Sequence, residues 1–419
     1  MNVLLLGSGG REHALSFALA KSSLLTKLFI APGNPGTVEF GENIALDVKD
    51  HQAVIQFCRL MKIGFVVVGP EAPLVAGLID DLHDAGIKAF GPSRSAAQLE
   101  GSKTFVKELC RNNSIPTAAY ASFTDAQRAK AYVTVQGVPI VVKYDGLMAG
   151  KGVTVAATID EAHSAIDSVY ATEPNARVVV EECLIGEEIS FFCLSDGANV
   201  VPFGSAQDHK RAYDGDSGPN TGGMGAYSPA PAFTAELERR TLEEIIKPTI
   251  KAMNEREMPF KGVLFAGLML TSEGPKLIEY NVRFGDPECQ VLMMRLKSCL
   301  LEVLIASASG ELNNCHVHLS DECALSVVMA AKGYPGIYGS GSTIRHIEDA
   351  DALTGVKIFH AGTKMVGANL VSNGGRVVCV TAVAPTLADA RERAYKGVQT
   401  IEWTDGFYRN DIAWRALKS

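Results

Sequence analysis

The first hundred residues alternate short apolar runs with amphipathic segments. "NVLLLG", "KLFIAPG", "IGFVVVGPE" and "KAFGP" predict buried strands; "EHALSFALAKS" and "LVAGLIDDLHDAG" predict helices. Continuous apolar strands separated by helices indicate a parallel, doubly wound sheet. Ligands of such a sheet bind beyond the carboxyl ends of its strands. There the chain carries "GSGGREH", "APGNPGT", "VGPEAPL" and "GPSRSA".

A helix is expected from about Ser102, after which the pattern changes. From "AAYASF" to "EISFFCL" the chain reads as strands, one helix ("DEAHSAIDSVYA") and a hairpin, a small α+β lobe. Residues 205–231 are rich in Gly, Pro, Asp and Ser and predict a long loop, functional or disordered. Strands resume at "GVLFAGLMLT" and "KLIEYNV". After about residue 325, "ALSVVMAA" and "RVVCVTAVA" predict strands and "LADARERAYKGVQTI" a helix. The expected class is α/β and α+β multidomain. Its units are an N-terminal domain over 1–101, a central core over 102–325 with a small lobe at 120–190, and a mixed C-terminal domain over 326–419.

Charge and cysteine content narrow the function. The chain of 419 residues carries a net charge of −8, which argues against a nucleic-acid partner. Its nine cysteines are scattered without a CxxC, as expected of a reducing, cytoplasmic compartment. No apolar run approaches the roughly 18 residues that span a bilayer, and "MNVLLLGSGG" lacks the basic start of a signal peptide.

Several stretches carry candidate chemistry. "GSGGREH" fails the dinucleotide fingerprint because Glu12 occupies its third glycine position. What remains is a glycine turn at a helix N-terminus, suited either to an anion or to tight packing. "KYDGLMAGKGVTV" is not a P-loop, since β-branched residues follow the glycines. It predicts a strand, a loop holding Gly146, Gly150, Gly152 and Lys151, and a second strand. Such a tip exposes backbone N–H groups to phosphates, with Lys143 behind it; an ordinary hairpin with solvated lysines is the alternative. In "KLIEYNVRFGDPE", Glu279, Asn281 and Arg283 alternate and so share one face of a strand. The first two are hard ligands suited to Mg²⁺, and the arginine could grip a phosphoryl group; an exposed polar face of an antiparallel strand is the alternative. "VVVEECLIGEEIS" sets acidic residues around a turn, and one could accept from a ribose hydroxyl. "CHVHLSDEC" matches no common structural-zinc spacing, and its two histidines read as alternate strand residues.

Together these pieces resemble the ATP-grasp superfamily. "GSGGREHAL", "APGNPGT", "GPEAPL", "KYDGLMAGKGV", "GPNTGGMGAYSP", "EYNVRFGDPECQ" and "FYRNDIAWRAL" are similar to the glycinamide ribonucleotide synthetase family along essentially the whole chain. The resemblance implies an ATP-dependent ligase joining glycine to 5-phosphoribosylamine through glycyl phosphate, in purine synthesis. It implies ATP and Mg²⁺ (or Mn²⁺) as cofactors, the two small molecules as partners, and a monomer or weak homo-oligomer. Lys103, Lys143 and Lys151 would contact ATP phosphates beneath a flap from Gly146 to Gly152. Glu182 and Leu184 would hold adenine, and Glu187 or Glu188 ribose. Glu279 and Asn281 would bind the metal, and Arg283 would stabilise the transferred phosphoryl group. Gly9, Gly10, Arg11, Glu12, Asn34, Pro35, Gly36 and Glu71 would receive the ribosylamine. Asp208, Lys210, Arg211 and Asp214 would complete the amine and glycine sites. Competing readings are a ligase for another acid, a dinucleotide oxidoreductase and a non-catalytic nucleotide sensor.

Overall fold

The computed structural model describes residues 1–146 and 152–418. Five parallel strands open the chain, in the order Glu42–Asn43, Lys27–Pro32, Asn2–Gly7, Ile63–Val68 and Ala89–Phe90. Asn2–Gly7 is central because Val3, Leu4, Leu5 and Leu6 are buried from both faces. The chain builds first to one side of it, then crosses to the other with Ile63–Val68. The topological switch point therefore falls between these two strands, where Gly9, Gly10, Arg11 and Glu71 begin helices.

The expected helix across residues 74–86 is two helices, Glu71–Ala76 and Leu78–Asp84. Gly77 breaks it at φ +91°, a conformation that costs a residue with a Cβ. Arg94 holds the break by donating to the Ala76 carbonyl at 2.6 Å.

The small lobe is four antiparallel strands in the order Tyr120–Phe123, Val178–Glu182, Ile140–Tyr144 and Val153–Ala156. Helices Ala126–Gln136 and Ile159–Thr172 cover one face, burying Val133, Ile140, Val142, Ile166, Val178 and Val180. The period of two then sends Lys143 and Glu181 to the opposite face. Ile140–Tyr144 and Val153–Ala156 pair antiparallel, so a strand follows the glycine stretch, as the β-branched residues predict.

The largest sheet runs in the order Gly274–Asn281, Lys261–Thr271, Glu187–Asp196, Val200–Asp208, Gly225–Ser228, Cys323–Ala331, Arg376–Ala384 and Val356–His360. It crosses residue 325 without a break. Residues 205–231 are not a long loop: they end one strand, form the hairpin Arg211–Tyr213 and Ser217–Asn220, and contribute Gly225–Ser228 to the middle of this sheet. Glycine here marks close approach, since a Cβ on Gly225 would lie 2.6 Å from the Ser326 carbonyl. His316 and His318 lie outside any strand, in an irregular segment. The apolar core is continuous across regions, with Leu4 and Val66 sharing one cluster with Phe191 and Leu264. No helix among the described residues is long and apolar enough to cross a membrane.

Candidate active site

A cleft of about 320 Å³ opens where the N-terminal sheet, the small lobe and the large sheet meet. Its floor is the strand Gly274–Asn281, which pairs with Lys261–Thr271 and brings Glu279 and Asn281 to one face. The strand stops at Asn281, so Arg283 lies just beyond it, not on it. Its guanidinium still reaches Asn281 Oδ1 at 2.9 Å. Burial opposes the charge of Glu279, but Lys210, Lys143, Lys103 and Arg283 outweigh it and hold the carboxyl below its ordinary range. An ionised carboxylate beside an amide oxygen fits a hard divalent cation. Among the described residues no three His, Cys, Asp or Glu side chains gather as a metal cage. The protein thus offers part of a coordination shell, which suits a cation that arrives with phosphate oxygens.

The small lobe closes one side. Glu181 Oε2 lies 3.0 Å from both Lys143 Nζ and Lys107 Nζ, and all three side chains are buried. Lys143 also donates to the Ile278 carbonyl at 3.4 Å. Lys103 begins the helix Lys103–Asn112, capped by Ser102, and donates from Nζ to the Gly146 carbonyl at 2.9 Å. Burial lowers the Lys103 ammonium while Glu279 pulls it up and Lys143 presses it down. Gly146 and Gly152 line the cleft; Gly150 and Lys151 lie outside the described residues. Glu182, Leu184 and Glu187 sit at the turn after Val178–Glu182, outside the cleft lining, with Glu182 and Glu187 exposed. Glu181, not Glu182, is the acidic residue directed at the lysines.

The N-terminal domain closes the other side through Arg11 and Glu71. Glu71 Oε2 lies 3.4 Å from Arg283 Nε and 3.8 Å from Arg11 Nη1, and Glu100 Oε1 lies 3.0 Å from Arg283 Nη2. Burial would raise the Glu71 carboxyl, but Arg283 and Arg11 hold it low. Glu100 is raised by burial despite Arg283. The expected anion site at the helix Gly10–Leu19 is already satisfied by carboxylates: Gly9 N donates to Glu12 Oε2 at 2.7 Å and Arg11 N to Asp286 Oδ2 at 3.4 Å. Gly10 packs against the helix Glu288–Arg295, where a Cβ would lie 2.5 Å from Gln290 Nε2.

Three expected ribosylamine contacts point elsewhere. Asn34 Nδ2 donates to the carbonyls of Ser8 and His360, each at 2.8 Å, and its Oδ1 accepts from Gly36 N and Thr37 N. Its side chain pins the N-terminal domain to the C-terminal region. Pro35 and Gly36 line a second cavity, beside His13 and His360. Asp208 and Lys210 do line the main cleft; Lys210 hydrogen-bonds Glu188. Arg211 is exposed and donates to the Gly218 carbonyl at 2.8 Å, while Asp214 is tied to Asn410 at 2.8 and 3.0 Å. Neither lines the cleft.

The cleft also holds residues that local reading did not single out. Lys107, Glu100, Asp286 and Arg376 all line it. Arg376 comes from the C-terminal region and donates to the Gly222 carbonyl at 2.6 Å. Glu181 had a usable signal, because it shares Lys143's face of the small-lobe sheet. Glu100 and Arg376 had none, since they meet their partners across long stretches of chain.

This architecture recurs at low identity in the biotin carboxylase domain of the Hydrogenobacter thermophilus 2-oxoglutarate carboxylase, with a TM-score of 0.74 at 17% identity over 97% of this chain and 91% of that one. That likeness defines the fold. Family profiles of phosphoribosylglycinamide synthetase match the N domain over residues 1–100, the ATP-grasp (A) domain over 101–289 and the C domain over 324–415. A phosphoribosylamine–glycine ligase of Mesorhizobium japonicum is 60% identical over 420 residues, covering 100% of this chain and 99% of that protein. The Escherichia coli enzyme of the same name is 48% identical over 426 residues, covering 100% and 99%. A crystal structure of the Thermotoga maritima phosphoribosylamine–glycine ligase has a TM-score of 0.85 at 30% identity, covering 98% of this chain and 100% of that one. The chain belongs to the phosphoribosylglycinamide synthetase family of ATP-grasp ligases.

Proposed function

We infer that the chain joins glycine to 5-phosphoribosylamine, with ATP cleaved to ADP and phosphate, and so makes glycinamide ribonucleotide for purine synthesis. The observation that carries this is full-length kinship to phosphoribosylamine–glycine ligases, set on a cleft where lysine and arginine side chains meet a carboxylate and an amide. A carboxylate is a poor electrophile near neutral pH. Phosphoryl transfer to glycine gives an acyl phosphate whose carbonyl an amine can attack. Positioning and charge neutralisation carry most of such chemistry.

Lys103 and Lys143 are assigned to the ATP phosphates, and Arg283 to the phosphoryl group in transfer. Glu279 and Asn281 would hold Mg²⁺, with Mn²⁺ able to replace it; the cation would neutralise phosphate charge. Arg11 and Glu71, at the switch point, are assigned to the ribosylamine. In support, all of these except Lys143 line one cleft, and Lys143 reaches Glu181 on its wall. The described cysteines are all free thiols, which favours the cytoplasm. A monomer or a weak homo-oligomer is the assembly proposed with this reading. ADP release with each substrate omitted in turn tests the reading. Turnover should require glycine and the ribosylamine together; equal turnover with another amino acid would reassign the substrate.

A further inference from the structure

Forming the amide releases a proton from the ribosylamine nitrogen, and the cations assigned above cannot accept it. Asp208 ends the strand Val200–Asp208 and lines the cleft. Lys210, two residues on, hydrogen-bonds Glu188. Among the described residues the cleft carboxylates Glu71, Glu100, Glu181 and Asp286 lie in ion pairs with arginine or lysine, and Asp208 does not. Among the described residues, the charged and titratable groups that act on Asp208 or are acted on by it are Lys210, Glu288, Glu188 and Tyr227. Glu288 is fixed by the Ser190 hydroxyl, which donates to its Oε1 at 3.1 Å, and it faces Arg283. Lys210 in turn faces Glu279. Asp208 and Glu288 line the same cleft as Glu279 of the metal strand and Arg11 and Glu71 of the switch point.

We propose that Asp208 is the base that takes the amine proton during amide formation, with Glu288 as the residue that positions and tunes it. This rests on the ligase reading above. The nitrogen–carbon bond forms at the glycyl carbonyl, and the carbon–oxygen bond to phosphate breaks with its electron pair leaving on phosphate. The amine proton passes to the Asp208 carboxylate. It then moves to the departing phosphate, which leaves as hydrogen phosphate and restores the base. The surroundings of Asp208 suit a base: burial raises its carboxyl, with Lys210 pulling it down and Glu288 and Glu188 pushing it up. A base that titrates near working pH is the efficient one.

Hydroxylamine separates the two half-reactions, because it captures an acyl phosphate as the hydroxamate without help from a base. Wild-type protein with ATP, Mg²⁺, glycine and hydroxylamine should form glycyl hydroxamate. D208N should lose amide formation at least about a hundredfold more than it loses hydroxamate formation, the usual scale for one acid–base group. E288Q should lower amide formation less than D208N does and move its acid limb to lower pH, because a charge that raised Asp208 is gone. If D208N makes amide at the normal rate, or if E288Q leaves the acid limb in place, Asp208 is not the base. Loss of both half-reactions in D208N with a raised glycine KM would make Asp208 an anchor for the glycine ammonium, and would overturn the proposal. Absence of glycine-dependent hydroxamate in the wild type would overturn the ligase reading itself.

Discussion

Two charged clusters flank the hairpin that follows Asp208, and they differ in how fully their members are paired. In the first, Arg409 is fully buried. It reaches Asp411 at 2.8 and 2.9 Å, Asp216 at 2.9 Å and the Arg211 carbonyl at 3.1 Å. Asp216 takes further bonds from Arg415 at 2.6 Å and Trp414 Nε1 at 3.2 Å. This cluster fastens the end of the chain onto the hairpin and keeps no valence for a ligand. In the second, Glu279 is surrounded by cations that hold its charge, yet Lys103 spends a bond on a backbone carbonyl and Lys210 bonds Glu188. Pairing to saturation marks a structural cluster, whereas charge assembled without saturation marks a site that awaits a partner.

The comparison is broken most severely by removing the guanidinium from the saturated cluster. Arg409→Met leaves Asp216 and Asp411 without their buried partner and should cost about 3–5 kcal/mol of stability. Urea midpoints would show it, with KM for ATP unchanged in the protein that remains folded. Glu279→Gln should do the reverse. Its unfolding midpoint should fall much less than that of Arg409→Met while kcat falls on the order of 10²–10³-fold, as for other lost electrostatic contacts to a transferring group. A Glu279→Gln enzyme with ordinary turnover would move the metal elsewhere.

Acid sharpens the contrast at the second cavity. Burial lowers His360 to about 4 and His13 well below its ordinary value. Both are therefore neutral in the folded protein at pH 6, while the unfolded chain takes up protons below about 6.5. Stability is fully present above that value and is lost as pH falls from about 6.5 towards 4, by up to about 3 kcal/mol for His360. His360→Gln should flatten that part of a stability-versus-pH curve. An unchanged curve would mean that His360 titrates normally.

The smallest expected effect decides between two roles for Asn34. As a staple it holds the Ser8 and His360 carbonyls, and Asn34→Ala should cost about 1–3 kcal/mol with KM for the ribosylamine unchanged. A raised KM at intact stability would return it to the substrate site.

The sequence made much of this legible, for local reasons. Apolar runs identified the parallel sheet, and β-branched residues after Gly152 excluded a P-loop. Glu279 and Asn281 could be set on one strand face because their spacing is local, whereas Lys103 entered only through the family resemblance. Glycine composition misled twice: around Gly225 it marks a buried strand in close contact, and at Gly77 it splits a helix. Asn34 illustrates a different limit. Its motif was visible, but not that its amide would be consumed by carbonyls 26 and 326 residues away in sequence. Glu100 and Arg376 were illegible because only the folded chain brings them to the cleft.

The most direct test of the central claim is thermal unfolding of wild type, Glu279→Gln and Arg409→Met, each with and without saturating ATP·Mg²⁺. Ligand at a hundredfold its Kd stabilises the bound form by about 2.7 kcal/mol. The wild type and Arg409→Met should gain the same increment, from different starting midpoints. Glu279→Gln should start nearer the wild-type midpoint than Arg409→Met does, and gain little. A full ligand-induced gain in Glu279→Gln, or its loss in Arg409→Met, would contradict the assignment of one cluster to chemistry and the other to the fold.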